Sequence, residues 1–187
     1  MVFATTGFMT WMPTLLYTKF QLPLATAAFQ AVFVHYLFAF VGVLLGGWWS
    51  DRHAAKRPVV RLHIGAAGLI LGAPFIYVLG HAGTLPLVYV ALAAFGLFRG
   101  MYDANIFAAL YEVVPANRRA TATGLMICFA YVTGAFAPIL LGYIKQRAGL
   151  DYGLAWLAPV FLLGGLFIAL TAWRFFPRDR AAAHSHP

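Results

Sequence analysis

The sequence predicts an all-α membrane protein of six transmembrane helices, and three observations carry that reading. Hydrophobic residues make up 63% of the chain and charged residues only 10%, with a mean hydropathy of +0.81. A soluble domain carries roughly a quarter charged residues. The apolar residues also fall into six runs, each long enough to cross about 30 Å of hydrocarbon. Finally, the lysines and arginines gather at the ends of those runs. In lipid the backbone must satisfy its own hydrogen bonds, so only helices or a closed barrel can span. Barrel strands need about ten alternating residues, and these runs are far longer. Helices follow.

The runs cover about residues 2–18, 25–49, 59–80, 85–112, 120–144 and 154–176, in one domain with a tail at 177–187. The first is barely long enough. Its Thr5, Thr6, Thr10, Trp11 and Tyr17 could line a pathway, although threonine hydroxyls in membrane helices also bond back to their own carbonyls. No basic n-region or cleavage site precedes it, so it is expected to act as the anchor itself. In the second run His35 sits near the centre, with Ala28, Ala31, Ala39, Gly42 and Gly46 around it at helical spacing. A stripe of small residues faces protein, so His35 is expected to point inward. It reads as a neutral interhelical contact, with proton carriage as the alternative.

The third run carries Gly65, Gly68, Gly72 and Pro74, the fifth Gly134, Pro138 and Gly142, and the sixth Pro159, Gly164 and Gly165. These are expected to serve close packing and kinking between helices in lipid. The fourth run is the unusual one, because Arg99 and Asp103 lie mid-span, one turn apart and on one face. Each costs about 2.5–3.5 kcal/mol at the bilayer centre, so they must pair, face a cavity, or both. In one reading Arg99 grips an anionic substrate through its planar fork and Asp103 is the proton or cation coupling site. In the other they form a static ion pair. Tyr102 adds a donor beside them, and Asn105 is expected to bond a neighbouring helix. Trp48, Trp49, Trp156 and Trp173 fall near run ends, as in an interfacial belt.

Sidedness follows from charge. Arg52, Lys56, Arg57, Arg61, Arg118, Arg119, Arg174, Arg178 and Arg180 fall at one set of ends, and Lys19, Lys145 and Arg147 at the other. The richer set is expected in the cytoplasm, with both termini. The net charge of +8 therefore describes membrane orientation and no nucleic-acid partner is expected. Cys128, the single cysteine, excludes an intrachain disulfide.

Two segments at those ends carry a family resemblance. Gly47-Trp-Trp-Ser-Asp51-Arg52-His-Ala-Ala-Lys56-Arg57 resembles the signature Gly-x-Leu-x-Asp-Arg-x-Gly-Arg-Lys of the major facilitator superfamily. It departs from that pattern at Trp49, Ala54 and Ala55. Tyr111-Glu112-Val-Val-Pro115-Ala-Asn-Arg118-Arg119 resembles that family's glutamate, proline three later and arginine seven later. Trp11-Met-Pro13-Thr is similar to the seventh helix of its organic anion:cation symporters, with sugar-phosphate-type members close in look. The resemblance implies helices seven to twelve of a twelve-helix transporter, that is, one half-bundle of two three-helix inverted repeats. It also implies a missing N-terminal half or a second copy as partner. Asp51, Arg52, Glu112 and Arg119 are then expected to form a cytoplasmic charge cluster that opens and closes with the transport cycle. Asp51 as a helix-start cap, with the arginines on lipid phosphates, is the alternative.

The function expected is transport of a small organic anion, coupled to protons or another cation, in the cell membrane. An inert or partner-dependent fragment and half of a proton-coupled drug exporter are the alternatives. Gly134-Ala-Phe-Ala-Pro138-Ile-Leu-Leu-Gly142 resembles the exporters' motif but lies in the wrong half and lacks its paired glycines. A membrane enzyme is not expected. The two serines, Ser50 and Ser185, lie outside the runs and no hydrolase motif is present. The His184-Ser-His186 tail is too sparse for a metal site, and no cofactor is expected.

Overall fold

The computed structural model describes residues 1–184, and within them the chain is helical with no strand. Helices α1 (Val2–Phe20), α2 (Leu24–Ala54), α3 (Val60–His81) and α4 (Leu85–Val113) are followed by a 3₁₀ turn at Ala116–Arg118. Then come α5 (Arg119–Ala148), α6 (Leu150–Ala155), α7 (Leu157–Arg174) and α8 (Phe176–His184). The tail expected at 177–187 thus begins as helix, while Ser185 to Pro187, including His186, lie outside the described residues.

Five of these segments are long and apolar enough to cross a membrane: Leu24–Ala54, Val60–His81, Leu85–Val113, Ala116–Ala148 and Leu150–Arg174. The sixth expected span, α1, has 19 residues and reaches about 28 Å. Its five threonines and Pro13 keep its hydropathy below the level that the five spans reach. Packing explains why it folds regardless. Ala4, Phe8, Met12, Leu15 and Leu16 recur at helical spacing and are buried as one stripe.

Three boundaries differ from the expected ones. α2 does not stop at residue 49 but runs to Ala54, so most of the supposed signature turn is helix. An apolar run marks where lipid ends, whereas a helix ends where its backbone is interrupted. Here Pro58 supplies the interruption. The fifth and sixth runs are joined by a single residue, Gly149, whose φ of 92° suits glycine. The last span is two helices, broken at Trp156 between α6 and α7.

The helix pairing has an internal logic. α1 packs on α5, α4 packs on α2, and α3 packs on α7. Exchanging the first three crossings for the last three maps these three pairings onto themselves, while α3 packs far more extensively on α4 than α1 does on α6 and α7. The α2–α4 contact is the closest. A Cβ on Gly42 would collide with the carbonyl oxygen of Leu97, and one on Gly100 with that of Ala39. Gly42–Gly46 and Gly96–Gly100 therefore face each other backbone to backbone, the use small-xxx-small spacing has in lipid. The α1–α5 contact is built otherwise. Gly7, Gly134 and Gly142 meet side chains of Leu141, Val2 and Trp11, and the Trp11 indole donates to the Pro138 carbonyl at 3.0 Å.

At the end away from the signature segment, Lys19 Nζ bonds Asp151 Oδ2 at 2.7 Å and the Gly80 carbonyl at 3.3 Å. This ties α1 to α6 and α3. The Tyr89 hydroxyl donates to Gln30 Oε1 and closes the same end between α4 and α2.

Candidate functional site

A cavity of about 600 Å³ lies among α1, α2, α4 and α5. Among the described residues lining it, Arg99 and Asp103 are the only charged side chains. α4 places them a turn apart, and Arg99 NH2 meets Asp103 Oδ2 at 3.1 Å. Both remain partly open to the cavity, with side-chain exposures of 13% and 28%. The pair thus lines the cavity without being sealed.

Behind the guanidinium stands His35, fully buried on the inner face of α2. Arg99 NH1 lies 3.1 Å from His35 Nε2. Arginine only donates, so Nε2 must be the bare acceptor nitrogen and the ring neutral. The ring is held by Phe8 at 5.3 Å and Phe95 at 4.8 Å between centroids. Its Nδ1 has no hydrogen-bond partner among the described residues. Tyr36 covers the other side of the cation, with Arg99 Cζ 5.4 Å from its ring centroid. The guanidinium therefore has a carboxylate, an imidazole and an aromatic face as neighbours.

Hydroxyls line the rest of the cavity. Thr5, Thr6 and Thr10 of α1 line the cavity, with Tyr102 of α4 and Tyr131 of α5. Thr10 Oγ1 is donated back to the Thr6 carbonyl at 2.9 Å, leaving its lone pairs to the cavity. The expected pathway residues divide here. Trp11 goes to Pro138, and Tyr17 is half exposed, outside this cavity.

Of the expected site residues, the structure brings Arg99, Asp103, Tyr102 and His35 together. Tyr36, which the sequence reading passed over, belongs with them; its position beside His35 was the available signal. Asn105 is buried and donates to the Gly46 carbonyl at 3.3 Å and the Met101 carbonyl at 2.9 Å, joining α4 to α2 as expected. The small stripe on α2 includes Ala27 in place of Ala28.

The four-residue charge cluster is not assembled. Asp51 pairs with Arg61 at 2.9 Å, and Glu112 pairs with Arg180 at 3.3 Å. Arg52 lies over the Trp48 ring at 5.9 Å. Arg119 donates to the Tyr111 and Val114 carbonyls at 3.0 and 3.3 Å. Arg61 and Arg180 therefore take the acids that Arg52 and Arg119 were expected to hold. Asp51 lies in the last turn of α2, so it caps no helix start. Lys56 and Arg57 are exposed in the turn, Gly47 has nothing within 4 Å of a Cβ position, and Pro115 precedes the 3₁₀ turn.

The family model described as "Major Facilitator Superfamily" matches residues 1–187. The D-galactonate transporter of Escherichia coli is 25% identical over 169 residues, covering 85% of this chain and 37% of its own length. The glycerol-3-phosphate transporter of Bacillus subtilis is 29% identical over 143 residues, covering 73% and 32% respectively. Protein spinster homolog 1 of Xenopus tropicalis is 32% identical over 160 residues, covering 76% and 30%. The chain spans about a third of the length of these curated relatives.

Proposed function

The chain belongs to the major facilitator superfamily of membrane transporters, and on that footing we propose that it forms the C-terminal six-helix half of a transporter for a small organic anion, driven by protons. One observation carries the reading: a single guanidinium in the cavity, shared between a carboxylate and a neutral imidazole. An incoming carboxylate or phosphate competes with Asp103 for the fork of Arg99. The displaced Asp103 is then an unpaired carboxylate in a poorly hydrated site, which favours taking up a proton. Substrate and proton are thereby coupled through one side chain. His35 keeps the guanidinium aimed while its partners exchange, and the threonine and tyrosine hydroxyls suit a hydroxylated anion. Two relatives whose names specify galactonate and glycerol-3-phosphate support the substrate class.

Asp103→Asn tests the coupling. In vesicles containing the transporter, the variant is expected to lose accumulation driven by a pH gradient while keeping exchange of labelled for unlabelled substrate. Gradient-driven accumulation at the native level would remove Asp103 from the mechanism.

The cavity wall formed by this chain alone is partial, and sites in this fold lie between two half-bundles. The working assembly in this reading therefore includes an N-terminal half or a second copy. Co-expression with and without such a half, read by uptake, separates a partner-dependent half from an inert fragment.

The reading also sets the protein in the cell membrane with the Asp51 end in the cytoplasm, as the richer set of cations there favours. A cysteine introduced as Ala55→Cys in a Cys128→Ser background checks this. Labelling by a membrane-impermeant maleimide is expected only after the cells are permeabilised. Labelling of intact cells would invert the topology.

A further inference from the structure

We propose that the groove between the α2–α3 turn and α8 binds the headgroup of an anionic phospholipid, with Arg57 and Arg180 on its phosphate. The groove encloses about 520 Å³ and is lined by Arg57, Pro58 and Val59 from the turn and by Phe176, Pro177 and Arg180 from α8. Among the described residues, no acidic side chain lines it. Its floor is anchored, because Phe176 is buried in a cluster with Leu62, Ala109 and Ala172, against which Val59 also packs. Arg180 is held through Nε by Glu112 of α4 at 3.3 Å. Arg57 is exposed and joins no ion pair among the described residues.

Three features favour a lipid over a free anion. The site lies at the helix ends, past the last turn of α7, where headgroups begin. Basic pockets at such depths hold acidic headgroups. The remaining walls (two prolines, Val59 and Phe176) offer apolar contact that a bare phosphate cannot use but a glycerol backbone and the first acyl carbons can. The surrounding charge points the same way: this end carries nine lysines and arginines against Asp51, Glu112 and Asp179. Arg61 and Arg180 occupy two of those three acids. A fixed positive field thus remains around the groove whatever the cavity among α1, α2, α4 and α5 transports.

The full chain purified in detergent, titrated with dioleoylphosphatidylglycerol or dioleoylphosphatidylcholine and read by native mass spectrometry, tests this. The first phosphatidylglycerol is expected to be retained at least about tenfold better than phosphatidylcholine, which bears the same phosphate but offsets its charge with choline, so that each arginine contributes about 1 kcal/mol to the difference. Arg57→Gln should reduce retention to the phosphatidylcholine level, and Arg57→Lys should fall between. Arg118→Gln, an exposed cation outside the groove, should leave the preference unchanged. Equal retention of the two lipids by the native chain would overturn the proposal, as would undiminished preference in Arg57→Gln. Displacement of phosphatidylglycerol by an equal concentration of inorganic phosphate would also overturn it, by making the groove a simple anion site.

Discussion

Replacing Arg99 by glutamine is expected to lower uptake of an anionic substrate by about 100-fold or more. The change removes one member of a half-buried charge pair, and truncating one partner of a hydrogen-bonded pair shielded from water costs about 2–5 kcal/mol. Each 1.4 kcal/mol is about tenfold. Two losses are combined in that figure, and they can be separated. Asp103 is left without its 3.1 Å partner, which destabilises the fold, and the cavity loses its one guanidinium, which in the proposed reading holds the anion. The double variant Arg99→Gln with Asp103→Asn removes both charges together. It should melt in detergent close to the native temperature, yet remain inactive. Arg99→Lys keeps the charge but cannot reach His35 and Asp103 through one planar fork, so a weaker apparent affinity with native melting is expected. Uptake by Arg99→Gln within threefold of native would show that the guanidinium does not hold substrate.

A single methyl group at Gly100 is also expected to damage the fold. Two effects oppose each other in Gly100→Ala. Alanine is better in a helix by about 1 kcal/mol. Against this, the new Cβ would lie on the Ala39 carbonyl oxygen and close to its carbon at 2.9 Å and to Val43 N at 2.9 Å. Overpacking costs about 1–3 kcal/mol, occasionally more, and here the opposing atoms are backbone, which cannot rotate away. Overpacking wins. The α2–α4 separation must widen, and that widening pulls His35 from Arg99. Lower melting temperature in detergent, together with loss of uptake, is the expected result. Gly47→Ala is the matched comparison, since nothing lies within 4 Å of its Cβ position. There the propensity gain stands alone, and melting should hold or rise. A native melting temperature for Gly100→Ala would mean the helices are not in backbone contact.

What the residues disclosed in advance depended on distance along the chain. Arg99 and Asp103 are four apart, and a helix brings such positions together whatever the fold does. The inward aim of His35 was legible from the small residues around it. Its partner was not, because Arg99 is 64 residues away and only the pairing of α2 with α4 joins them. Gly96–Gly100, the other side of that pairing, was present in the sequence but hidden among other glycines. The ends of helices were misread for a different reason. Hydropathy detects lipid thickness, and Ser50 to Ala54 continue α2 beyond it as a polar helix. The partners of the two acids in this arrangement were not legible because sign and proximity in sequence do not choose among many arginines. Arg61 and Arg180 hold the two acids from α3 and α8, elements whose approach no local pattern encodes.

The contrast between the two helix crossings has a mechanical consequence. Where backbone rests on backbone, as between α2 and α4, no rotamer change relieves a displacement. Where glycines meet the branches of Leu141, Val2 and Trp11, as between α1 and α5, side-chain rotations absorb one. The half-bundle thus has a stiff flank bearing the guanidinium and a compliant flank bearing the threonines. Breathing of the space between them falls on the compliant side, and the cation stays a fixed point of reference throughout.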